Sequence, residues 1–586
     1  MLQDPNSAVS KAFTFYKSCM SDASIETAGT QPIFDVIEKY GSCNIIKSNW
    51  SGDSWVLAKV LGRVFAETSL PVFLNVDIEK SFFNTSEIFI SISSGLSGYD
   101  DDKLNEEKPR SKEKDLPLHD KPSKKIPAND FEDYGKYISS IFKLFGTNSI
   151  VDNASKSIVK LEDNFLKIRK ILDGDDADAV RNNVKFFTID ELNHLTSFKS
   201  APERVRHISC FSLLANEIIW RIIRKFIDSL PKGFRKAREK YYATFGVRPT
   251  PRWKACNDLT NQYFTHATTL LYVNKRVTED ALEKAAVMFA EIKAEFVDGL
   301  EEHKWMDDAT RSQARLKLQK MKEWIGYSSF IKNTTELHSY YKNFQVKESF
   351  LLQNMLNAVR NLILKKSQQL GKPSDDSSFS TSTLPVNAFY LSKDNRIVIL
   401  GGILQPPFYE SGRLKAMNYG SLGFIVGHEI SHGFDEDGSG YDENGNIRHW
   451  WTKVSHDNFV ERSKCLIDQY SNVTIFGYQV NGTQTLSENI ADNGGLKYAY
   501  RAYQKWRETH GDEDRLPALS LDNNQLFFVS FAQTWCDKYG EGAVKYFMDN
   551  DEHSLDPVRV RVPLYNFLEF SKAFGCASQT DTCVVW

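Results

Sequence analysis

Apolar side chains recur at helical spacing in the N-terminal half of the chain, and the clearest example lies in residues 278–300. Its apolar positions are 3, 4, 3 and 4 residues apart, at Leu282, Ala285, Phe289, Ile292 and Phe296. One face of an amphipathic helix has this period, and Thr278 stands where an N-cap residue would precede it. Residues 305–326 begin with acidic residues, continue with basic ones and end at Gly326, which predicts another helix there.

The pattern from 200 to 330 is helical, and three segments outside that range lack it. Residues 100–129 are dense in charge and proline, which predicts an exposed, mobile loop. The serine-rich stretch at 374–383 interrupts the helical pattern and predicts a boundary between two lobes. Residues 395–409 then contain a short β-branched run followed by Gly-Gly and Pro-Pro, which predicts a strand and a turn.

Composition limits the kind of protein that this can be. The chain has 586 residues, of which 41% are hydrophobic and 25% are charged, with a formal net charge of −3. The near-neutral charge argues against nucleic acid as the main partner. No apolar run reaches about 18 residues, so no membrane-spanning segment is predicted in this chain. The first residues also lack the apolar core of a signal peptide.

Cysteines and glycosylation sequons favour a compartment outside the cytosol. The eight cysteines form no Cys-x-x-Cys pair and stand at Cys19, Cys43, Cys210, Cys256, Cys465, Cys536, Cys576 and Cys583. Six Asn-x-Ser/Thr sequons occur, at Asn49, Asn84, Asn153, Asn333, Asn472 and Asn481. Scattered, even-numbered cysteines are typical of a disulfide framework, although buried thiols and chance sequons would give the same counts. We expect an ectodomain whose targeting segment is not in this chain.

The stretch GFIVGHEISHGF, residues 423–434, carries the strongest chemical signal. His428 and His432 are four residues apart, so on a helix both can reach one metal ion at about 2.0–2.1 Å. Glu429 is offset by one position, where it can contact a metal-bound water as a general base. The alternative is a core helix with a histidine pair and a solvent-facing glutamate. Because the chain has only 12 histidines, a chance match is rare, and the pattern favours zinc.

A catalytic zinc needs a third protein ligand and an open fourth position. The template His-Glu-x-x-His-x-x-Gly-x-x-His fails here, because Asp435 and Gly438 stand where it requires glycine and histidine. The third ligand must therefore come from another part of the chain.

Residues 485–506 supply a candidate for that ligand. Glu488 and Asp492 lie four apart on one face of a predicted helix, which Ser487 could cap. Glu488 could complete a His-His-Glu set, and Asp492 could accept the free ring N–H of a ligating histidine. The pair Gly494–Gly495 costs helix stability and makes sense where another backbone comes close. The alternative is a capped surface helix with an acidic first turn.

Six blocks follow one another in order towards the C-terminus. They are VNAFY at 386–390, GGILQPPFY at 401–409, GHEISHGFD at 427–435, ENIADNGG at 488–495, FAQTWC at 531–536 and the terminal CVVW. Together they resemble the neprilysin and endothelin-converting-enzyme family of zinc metallopeptidases. The helical lobe of that family is resembled by KAFTFYKSCM at 11–20, RWKAC at 252–256, LYVNK at 271–275 and WMDDATR at 305–311. The likeness fails over 100–129 and is thin at 374–383.

The resemblance implies roles around a single zinc ion. His428, His432 and Glu488 would be its ligands. Glu429 would polarise the attacking water and pass the proton to the leaving amine. Asp492 would support a ligating histidine from behind.

The resemblance also implies residues that contact the substrate. In DEHSLDPVR, His553 matches the histidine that stabilises the oxyanion, and Arg559 matches the arginine that binds the substrate backbone. Without the resemblance, a surface histidine and a plain edge strand over VRVRV are the alternatives. Asn387 and Ala388 match the strand that holds a peptide in an extended pose.

A hydrophobic pocket for the side chain just after the cleaved bond is implied as well. Its residues would be Ile403, Phe408, Phe424, Ile425 and Trp535. The alternative for all five is simple core packing.

The resemblance pairs Cys19 with Cys256 and Cys465 with Cys583. The family normally opens with a further segment, which this chain is expected to lack and which would carry the membrane anchor or secretion signal.

The other four cysteines have no partner in this scheme. Cys536 and Cys576 match cysteines that pair with the opening segment. Cys43 and Cys210 have no assigned counterpart.

The implied fold is mainly α with a small β component, in two helical lobes. Residues 1–330 would form a helical N-terminal lobe that covers the cleft, and 331–380 a connecting region. Residues 381–586 would form the catalytic domain, similar to thermolysin, with a short sheet beside the zinc helices.

The implied function is a zinc-dependent endopeptidase that cleaves short peptides on the amino side of hydrophobic residues, with Glu429 as general base. An extracellular or cell-surface location follows from the resemblance. The alternative is a catalytically impaired or truncated homologue that binds peptides. A structural zinc protein is disfavoured, because three ligands beside a glutamate leave an open position.

Overall fold

Helices dominate the structure and strands are few, as predicted. The computed structural model describes residues 4–52, 55–94, 128–147, 150–172, 208–244, 247–373, 381–577 and 579–586. Residues 100–127 of the predicted loop lie outside this description, and its last two residues, 128 and 129, begin a helix instead. Residues 374–380 of the stretch predicted to be a lobe boundary also lie outside it.

Ten helices of the described residues precede residue 277. They are α1 Ala8–Met20, α2 Asp22–Ala28, α3 Gln31–Lys39, α4 Leu57–Thr68, α5 Ala128–Lys143, α6 Val151–Leu172, α7 Ile208–Lys225, α8 Lys232–Ala243, α9 Arg252–Tyr263 and α10 Thr265–Arg276. An antiparallel hairpin follows α4, with strands β1 Leu74–Lys80 and β2 Ile88–Ser94.

The remaining helices are shorter on average and include the two that carry the histidines and acids singled out above. They are α11 Glu279–Gly299, α12 Asp308–Lys320, α13 Thr334–Tyr340, α14 Leu351–Ser367, α15 Lys415–Asn418, α16 Phe424–Ser431, α17 Lys453–Ser471, α18 Leu486–His510, α19 Asn523–Gln533, α20 Glu541–Asn550, α21 Asp556–Asn566 and α22 Leu568–Phe574. The remaining strands are β3 Lys322–Gly326, β4 Ala388–Leu391, β5 Arg396–Leu400, β6 Thr474–Ile475 and β7 Tyr478–Gln479.

Two large hydrophobic clusters divide the described residues into two lobes. The first cluster runs from Ala8 to Leu270 and resumes from Ile331 to Val359. The second takes its buried residues from Ala281 to Met321 and again from Ala388 to Trp586. We call residues 4–276 with 327–373 the helical lobe, and residues 277–326 with 381–586 the C-terminal lobe.

The predicted domain limits at 1–330, 331–380 and 381–586 stay a prediction. The hydrophobic clusters group the chain differently, because α11, α12 and β3 pack with the C-terminal lobe. The chain therefore crosses between the lobes near residues 277 and 327 before it crosses again after α14.

Helix α11 forms as its apolar period predicted. The Thr278 side chain accepts a hydrogen bond from the backbone N–H of Ala281, as an N-cap does. The predicted helix over 305–326 is wrong beyond Lys320, where α12 ends. Residues 322–326 instead form β3, because their backbone groups pair in parallel with the buried strand β5.

A three-stranded sheet lies in the C-terminal lobe in the order β3-β5-β4. The central strand β5 is buried at every residue and confirms the strand predicted in 395–409. Strand β4 runs antiparallel to β5 and forms one edge of this sheet. In other proteins, an edge strand is the position at which an extended peptide can add to a sheet.

One disulfide closes within each lobe, and both are the predicted pairs. Cys19 is bonded to Cys256 in the helical lobe, and Cys465 to Cys583 in the C-terminal lobe. Among the described residues, the buried Cys43 and the exposed Cys536 and Cys576 form no disulfide. The Cys210 side chain lies outside the description.

The asparagines of the sequons lie at the surface. All six sequon asparagines are exposed, at Asn49, Asn84, Asn153, Asn333, Asn472 and Asn481. In the part of the chain described, no helix combines the length and apolarity needed to cross a bilayer.

The β1–β2 hairpin brings the helical lobe against the C-terminal lobe. The Ile447 backbone N–H donates to the carbonyl oxygen of Phe82 at 2.7 Å, and the two side chains share a small buried cluster. The Thr85 hydroxyl donates to the carbonyl oxygen of Asn444 at 2.8 Å. Lys80 also forms an ion pair with Asp394. These contacts join the lobes at a defined seam.

Candidate metal centre

The two histidines of the HExxH stretch lie on an interrupted helix that is buried along its length. After α15, residues 419–423 form a π-helical turn, α16 follows, and residues 432–434 close with a 3-10 turn. Every residue of α16 is buried. The apolar side chains around the histidines thus anchor them in the core.

Helix α18 crosses α16 with the two backbones in direct contact. A Cβ atom placed on Gly427 would lie 2.7 Å from the carbonyl oxygen of Gly495, and one on Gly495 would lie 2.6 Å from the backbone nitrogen of His428. Such distances are too short for any side chain, so only glycine fits at either position. The prediction that the Gly494–Gly495 pair marks a close approach is confirmed.

The prediction that Ser487 caps α18 is wrong. The helix begins at Leu486 after Thr485, whose hydroxyl accepts a hydrogen bond from the Asn489 side chain at 2.8 Å and does not cap the helix. The Thr485 hydroxyl is therefore bonded to the Asn489 side chain and not to a backbone N–H of the first turn. Ser487 lies inside that first turn, past the position of a cap.

Three donor atoms converge between α16 and α18. The Nε2 atoms of His428 and His432 are 3.0 Å apart, and Oε2 of Glu488 lies 3.3 Å from the first and 3.7 Å from the second. Ligands about 2.0–2.1 Å from a tetrahedral ion are separated by about 3.3–3.4 Å. The three atoms therefore have the mutual spacing of ligands around one ion, which fits a bound metal.

Each of these two histidines faces a carboxylate with its other ring nitrogen. Nδ1 of His428 lies 2.8 Å from Oδ1 of Asp492, and Nδ1 of His432 lies 2.6 Å from Oδ2 of Asp435. A carboxylate behind a histidine fixes the tautomer and leaves Nε2 for the metal. Asp492 was singled out from the sequence for this position, and Asp435 was not.

Arg559 is paired with Asp492 through two parallel contacts. Its Nε and one terminal nitrogen donate to the two carboxylate oxygens at 2.8 and 2.7 Å. The guanidinium lies over the Trp535 ring, 4.0 Å from the ring centre, and 3.6 Å from Oε2 of Glu488. Arg559 lies on the helix α21, so the edge strand considered for VRVRV does not form.

His553 also reaches the centre. Its Nε2 lies 2.9 Å from Oε2 of Glu488, and its Nδ1 lies 2.7 Å from Oδ1 of Asp551. The surface-histidine alternative does not hold, because one ring nitrogen faces the proposed ligand Glu488 and the other faces Asp551.

The charges in this centre shift one another's pKa values. Burial and His432 lower the pKa of His428, but Asp492 and Glu488 outweigh them and leave it above its ordinary value. Burial likewise opposes the charge on His432, yet Glu488 and Asp435 raise its pKa to about 10.

The acids respond in the opposite direction. Burial raises the pKa of Glu488, but His432 and His428 hold it well below the usual range. Burial also opposes ionisation of Asp492, while Arg559 and His428 lower its pKa. The centre therefore favours ionised carboxylates, the form in which they bind metals.

Comparison with known proteins agrees with this arrangement. Models of peptidase family M13 match residues 387–584 and, in two overlapping parts, residues 2–208 and 195–328. The chain is 30% identical to an endothelin-converting enzyme homolog of Locusta migratoria, over all of this chain and 84% of that one. It is 31% identical to endothelin-converting enzyme 1 of Homo sapiens, over all of this chain and 79% of that protein.

The chain belongs to peptidase family M13. It is a metalloendopeptidase. Its fold is shared with the zinc metalloprotease Zmp1 of Mycobacterium tuberculosis in complex with an inhibitor, with a TM-score of 0.78 at 23% identity. That match covers 98% of this chain and 88% of Zmp1.

In this M13 chain, the residues predicted to form the substrate pocket all join the hydrophobic core of the C-terminal lobe. Ile403, Phe424 and Ile425 are buried, while Phe408 and Trp535 are partly buried. The Phe424 ring lies 5.9 Å from that of Trp535, which itself touches Arg559. Their role in a pocket stays a prediction.

The predicted peptide-holding segment lies at the edge of the three-stranded sheet. Ala388 opens β4, and the carbonyl oxygen of Asn387 accepts a hydrogen bond from the Leu400 backbone N–H at 3.2 Å. Helix α16 packs against both β4 and β5. The sheet edge is therefore adjacent to the helix that carries His428 and Glu429.

Sequence reasoning missed two acids of this centre, Asp435 behind His432 and Asp551 behind His553. Asp435 was considered only as a mismatch to a third-histidine template, and Asp551 was not singled out. For Asp435 a signal was present, because an acid three residues after a histidine at a helix end can turn back to its ring.

Proposed function

We propose that this M13 peptidase is a zinc-dependent endopeptidase of short peptides, with zinc held by His428, His432 and Glu488. The convergence of their three donor atoms within 4.8 Å of one another carries the proposal. Two imidazoles and one carboxylate form the ligand set of several catalytic zinc sites, in which a fourth position stays open.

Zinc bound in such a set lowers the pKa of a coordinated water to about 7 and polarises a carbonyl oxygen. The chain itself must then move protons and stabilise charge. We assign the first task to Glu429, which is 5% exposed and acts on His432 through its charge. It would accept a proton from the attacking water and deliver it to the leaving amine.

We assign charge stabilisation to His553. Asp551 orients its ring through Nδ1, which leaves Nε2 pointed at the centre. A donor placed where negative charge develops on the substrate oxygen is worth about 10²–10³ in rate. His553 would give its Nε2 proton as a hydrogen bond to that oxygen.

Asp492 and Arg559 would support the centre in series. Asp492 holds the His428 ring, and Arg559 holds Asp492. The proposal that Arg559 also binds the substrate backbone is compatible with its contact with Trp535 beside the predicted pocket.

We propose that the substrate lies extended along β4. An edge strand can pair with a peptide through backbone hydrogen bonds, and β4 is both at the sheet edge and against α16. The adjacent apolar group, Ile403, Phe408, Phe424, Ile425 and Trp535, would receive the side chain after the cleaved bond. Cleavage on the amino side of hydrophobic residues follows.

The helical lobe would restrict substrates to short peptides by covering the cleft. We further propose that the protein works outside the cytosol, as an extracellular or cell-surface enzyme. Two disulfides and six exposed sequons support this location, since disulfides persist in oxidising compartments.

The test is Glu429→Gln in the full chain, assayed with quenched peptides that differ only in the residue after the bond to be cut. We expect kcat to fall about 10²–10⁴-fold while zinc content stays at one ion per chain. The unaltered enzyme should prefer leucine or phenylalanine over glycine at that position by about 10–200-fold in kcat/KM.

A chelator provides the control, because removing zinc should abolish cleavage and adding it back should restore it. Zinc bound at full occupancy without cleavage by the unaltered chain would overturn the enzyme proposal and favour a peptide-binding homologue. Cleavage that survives Glu429→Gln within tenfold would remove Glu429 from the mechanism.

A further inference from the structure

Lys317, on α12, plays no part in the chemistry proposed above, yet it is buried beside the metal centre. Its side chain is 1% exposed, and it is the one buried lysine among the residues described. Burial lowers the pKa of its ammonium group to about 7, against the opposing charges of Asp435, Asp442 and Glu443. Burying an ammonium group is costly, so a specific set of contacts must compensate for it.

The contacts of Lys317 are directed at one loop. Its Nζ donates to the carbonyl oxygens of Gly438 and Tyr441, both at 2.7 Å. Three aromatic rings enclose the ammonium group at 5.6–5.9 Å, those of Phe434, Tyr390 and Trp450. Two of the three N–H donors of the lysine are thus used to hold the backbone of residues 438–441.

That loop carries the acid behind His432. The Gly438 backbone N–H donates to Oδ1 of Asp435 at 2.6 Å, and the other carboxylate oxygen lies 2.6 Å from Nδ1 of His432. Gly438 is also packed on the end of the metal helix, since a Cβ placed there would lie 1.8 Å from the carbonyl oxygen of His432. Lys317 therefore binds the carbonyl oxygen of Gly438, and Asp435 accepts a hydrogen bond from its backbone N–H.

We propose that Lys317 is a positioning residue of the metal centre. It fixes the loop from Asp435 to Tyr441 so that the Asp435 carboxylate keeps the His432 ring in its ligating orientation. This inference rests on the metal site of the proposed function. It assigns to α12, which contributes no ligand, a part in holding the metal.

The size of the expected effect follows from other metal sites, where carboxylates behind ligating histidines strengthen metal binding. Their removal typically costs 10–100-fold in metal affinity. Because Lys317 acts through Asp435, we expect about a tenfold rise in the zinc Kd on Lys317→Met, which keeps the length of the side chain and removes its charge and donors.

Lys320→Met is the matched control. Lys320 lies one turn further along α12, is half-exposed and contacts the side chains of Asn444 and Glu443 from outside the loop. Zinc Kd is measured on the full chain by competition with a chromophoric chelator, and we expect the Lys320→Met value to stay within twofold. The visible spectrum of bound Co²⁺ should change for Lys317→Met and not for the control, because it reports ligand geometry.

A double-mutant cycle with Asp435→Asn separates positioning from a general loss of stability. If Lys317 acts through Asp435, the double variant should bind zinc about as weakly as Asp435→Asn alone. Fully additive losses, or an unchanged zinc Kd for Lys317→Met, would overturn the inference. If Lys317→Met does not fold, as judged by thermal melting of the metal-free chain, Lys317→Gln, which also removes the charge and is too short to reach both carbonyl oxygens, takes its place in the cycle with the same criteria.

The same titrations separate this inference from the proposed function. An unaltered chain that fails to bind zinc contradicts the metal site itself. An unaltered chain that binds zinc, beside a Lys317→Met chain that binds it equally well, contradicts only the role of Lys317.

Discussion

Buried histidines in the hydrophobic cores and buried histidines at the metal centre have pKa values shifted in opposite directions. His266 in the helical lobe and His303 in the C-terminal lobe are 4% and 6% exposed, and His428 at the metal centre is 4% exposed. Burial lowers the pKa of His266 to about 4 and that of His303 to about 3. At the metal centre, the pKa values of His428 and His432 are instead raised.

The neighbours of each ring explain the difference. His266 meets the rings of Phe330 and Tyr340 edge-on, and His303 meets Trp586 and bonds to the Tyr498 hydroxyl. Nearby cations act in the same direction as burial, Lys365 on His266 and Lys497 with three arginines on His303. The comparison teaches that burial and neighbouring cations keep these two histidines neutral, and that the carboxylates around His428 reverse the effect of burial.

The largest effect is expected when the cation that balances those carboxylates is removed. Arg559→Met would leave Asp492 buried without its bidentate partner, and breaking a buried pair in this way costs about 3–5 kcal/mol. Urea unfolding of the metal-free chain at pH 7.5 measures the loss.

Arg315→Met is the matched control for that substitution. Its ion pair with Glu301 lies at the surface, with side chains 36% and 58% exposed, so we expect a loss of at most about 1 kcal/mol. A loss below 1 kcal/mol for Arg559→Met would mean that the centre does not depend on this charge.

A smaller effect is expected from separating the two helices that carry the ligands. Gly495→Ala would press a methyl group into the backbone of His428, and overpacking of this kind costs about 1–3 kcal/mol. Zinc affinity should fall as well, because the shift moves Glu488 away from the histidines. Thermal melting and chelator competition measure the two losses.

Gly62→Ala in α4 sharpens the same comparison from the helical lobe. Gly62 is also helical, but nothing lies within 4 Å of the added methyl group. Its replacement should be neutral or stabilise by up to about 1 kcal/mol. Equal effects at the two glycines would contradict the close helix contact.

The smallest effect concerns pH and His266. Its pKa of about 4 in the folded chain lies below the ordinary value of about 6.5, so between these values the unfolded chain binds the proton and stability falls as pH drops. The stabilisation is complete above about pH 6.5. Between pH 7.5 and 5.5 this histidine should account for a loss of about 1.4 kcal/mol, which His266→Phe should abolish.

Unfolding midpoints in urea at the two pH values test this. His456→Phe serves as control, because that side chain is 59% exposed, and its pH dependence should match that of the unaltered chain. A His266→Phe chain that keeps the full pH dependence would show that His266 is not the group responsible.

Much of the metal centre could be predicted because its chemistry is local. A spacing of four residues places His428 and His432 on one helix face, and the same spacing places Glu488 over Asp492. The pair Gly494–Gly495 predicted the contact between the two helices, since glycine destabilises a helix interior and is expected there where another backbone comes close.

What could not be predicted depends on contacts distant in sequence. The segment after Lys320 continues a helical pattern, but its pairing with β5 makes it a strand. The alternation in VRVRV favours a strand, yet Pro557 at the first turn and packing on α18 make it the helix α21. Nothing around Lys317 marks it as buried, because a lysine on an amphipathic helix is ordinarily solvated.

The contact between Gly427 and Gly495 has a consequence for engineering new peptide preferences. The spacing of the ligand-bearing helices is set where they touch by main-chain atoms, which every residue possesses. Side chains on their other faces can therefore be exchanged to reshape substrate selection while the distance between the histidines and Glu488 is preserved. Libraries that keep these two glycines constant should retain far more metal-loaded variants than libraries that randomise them.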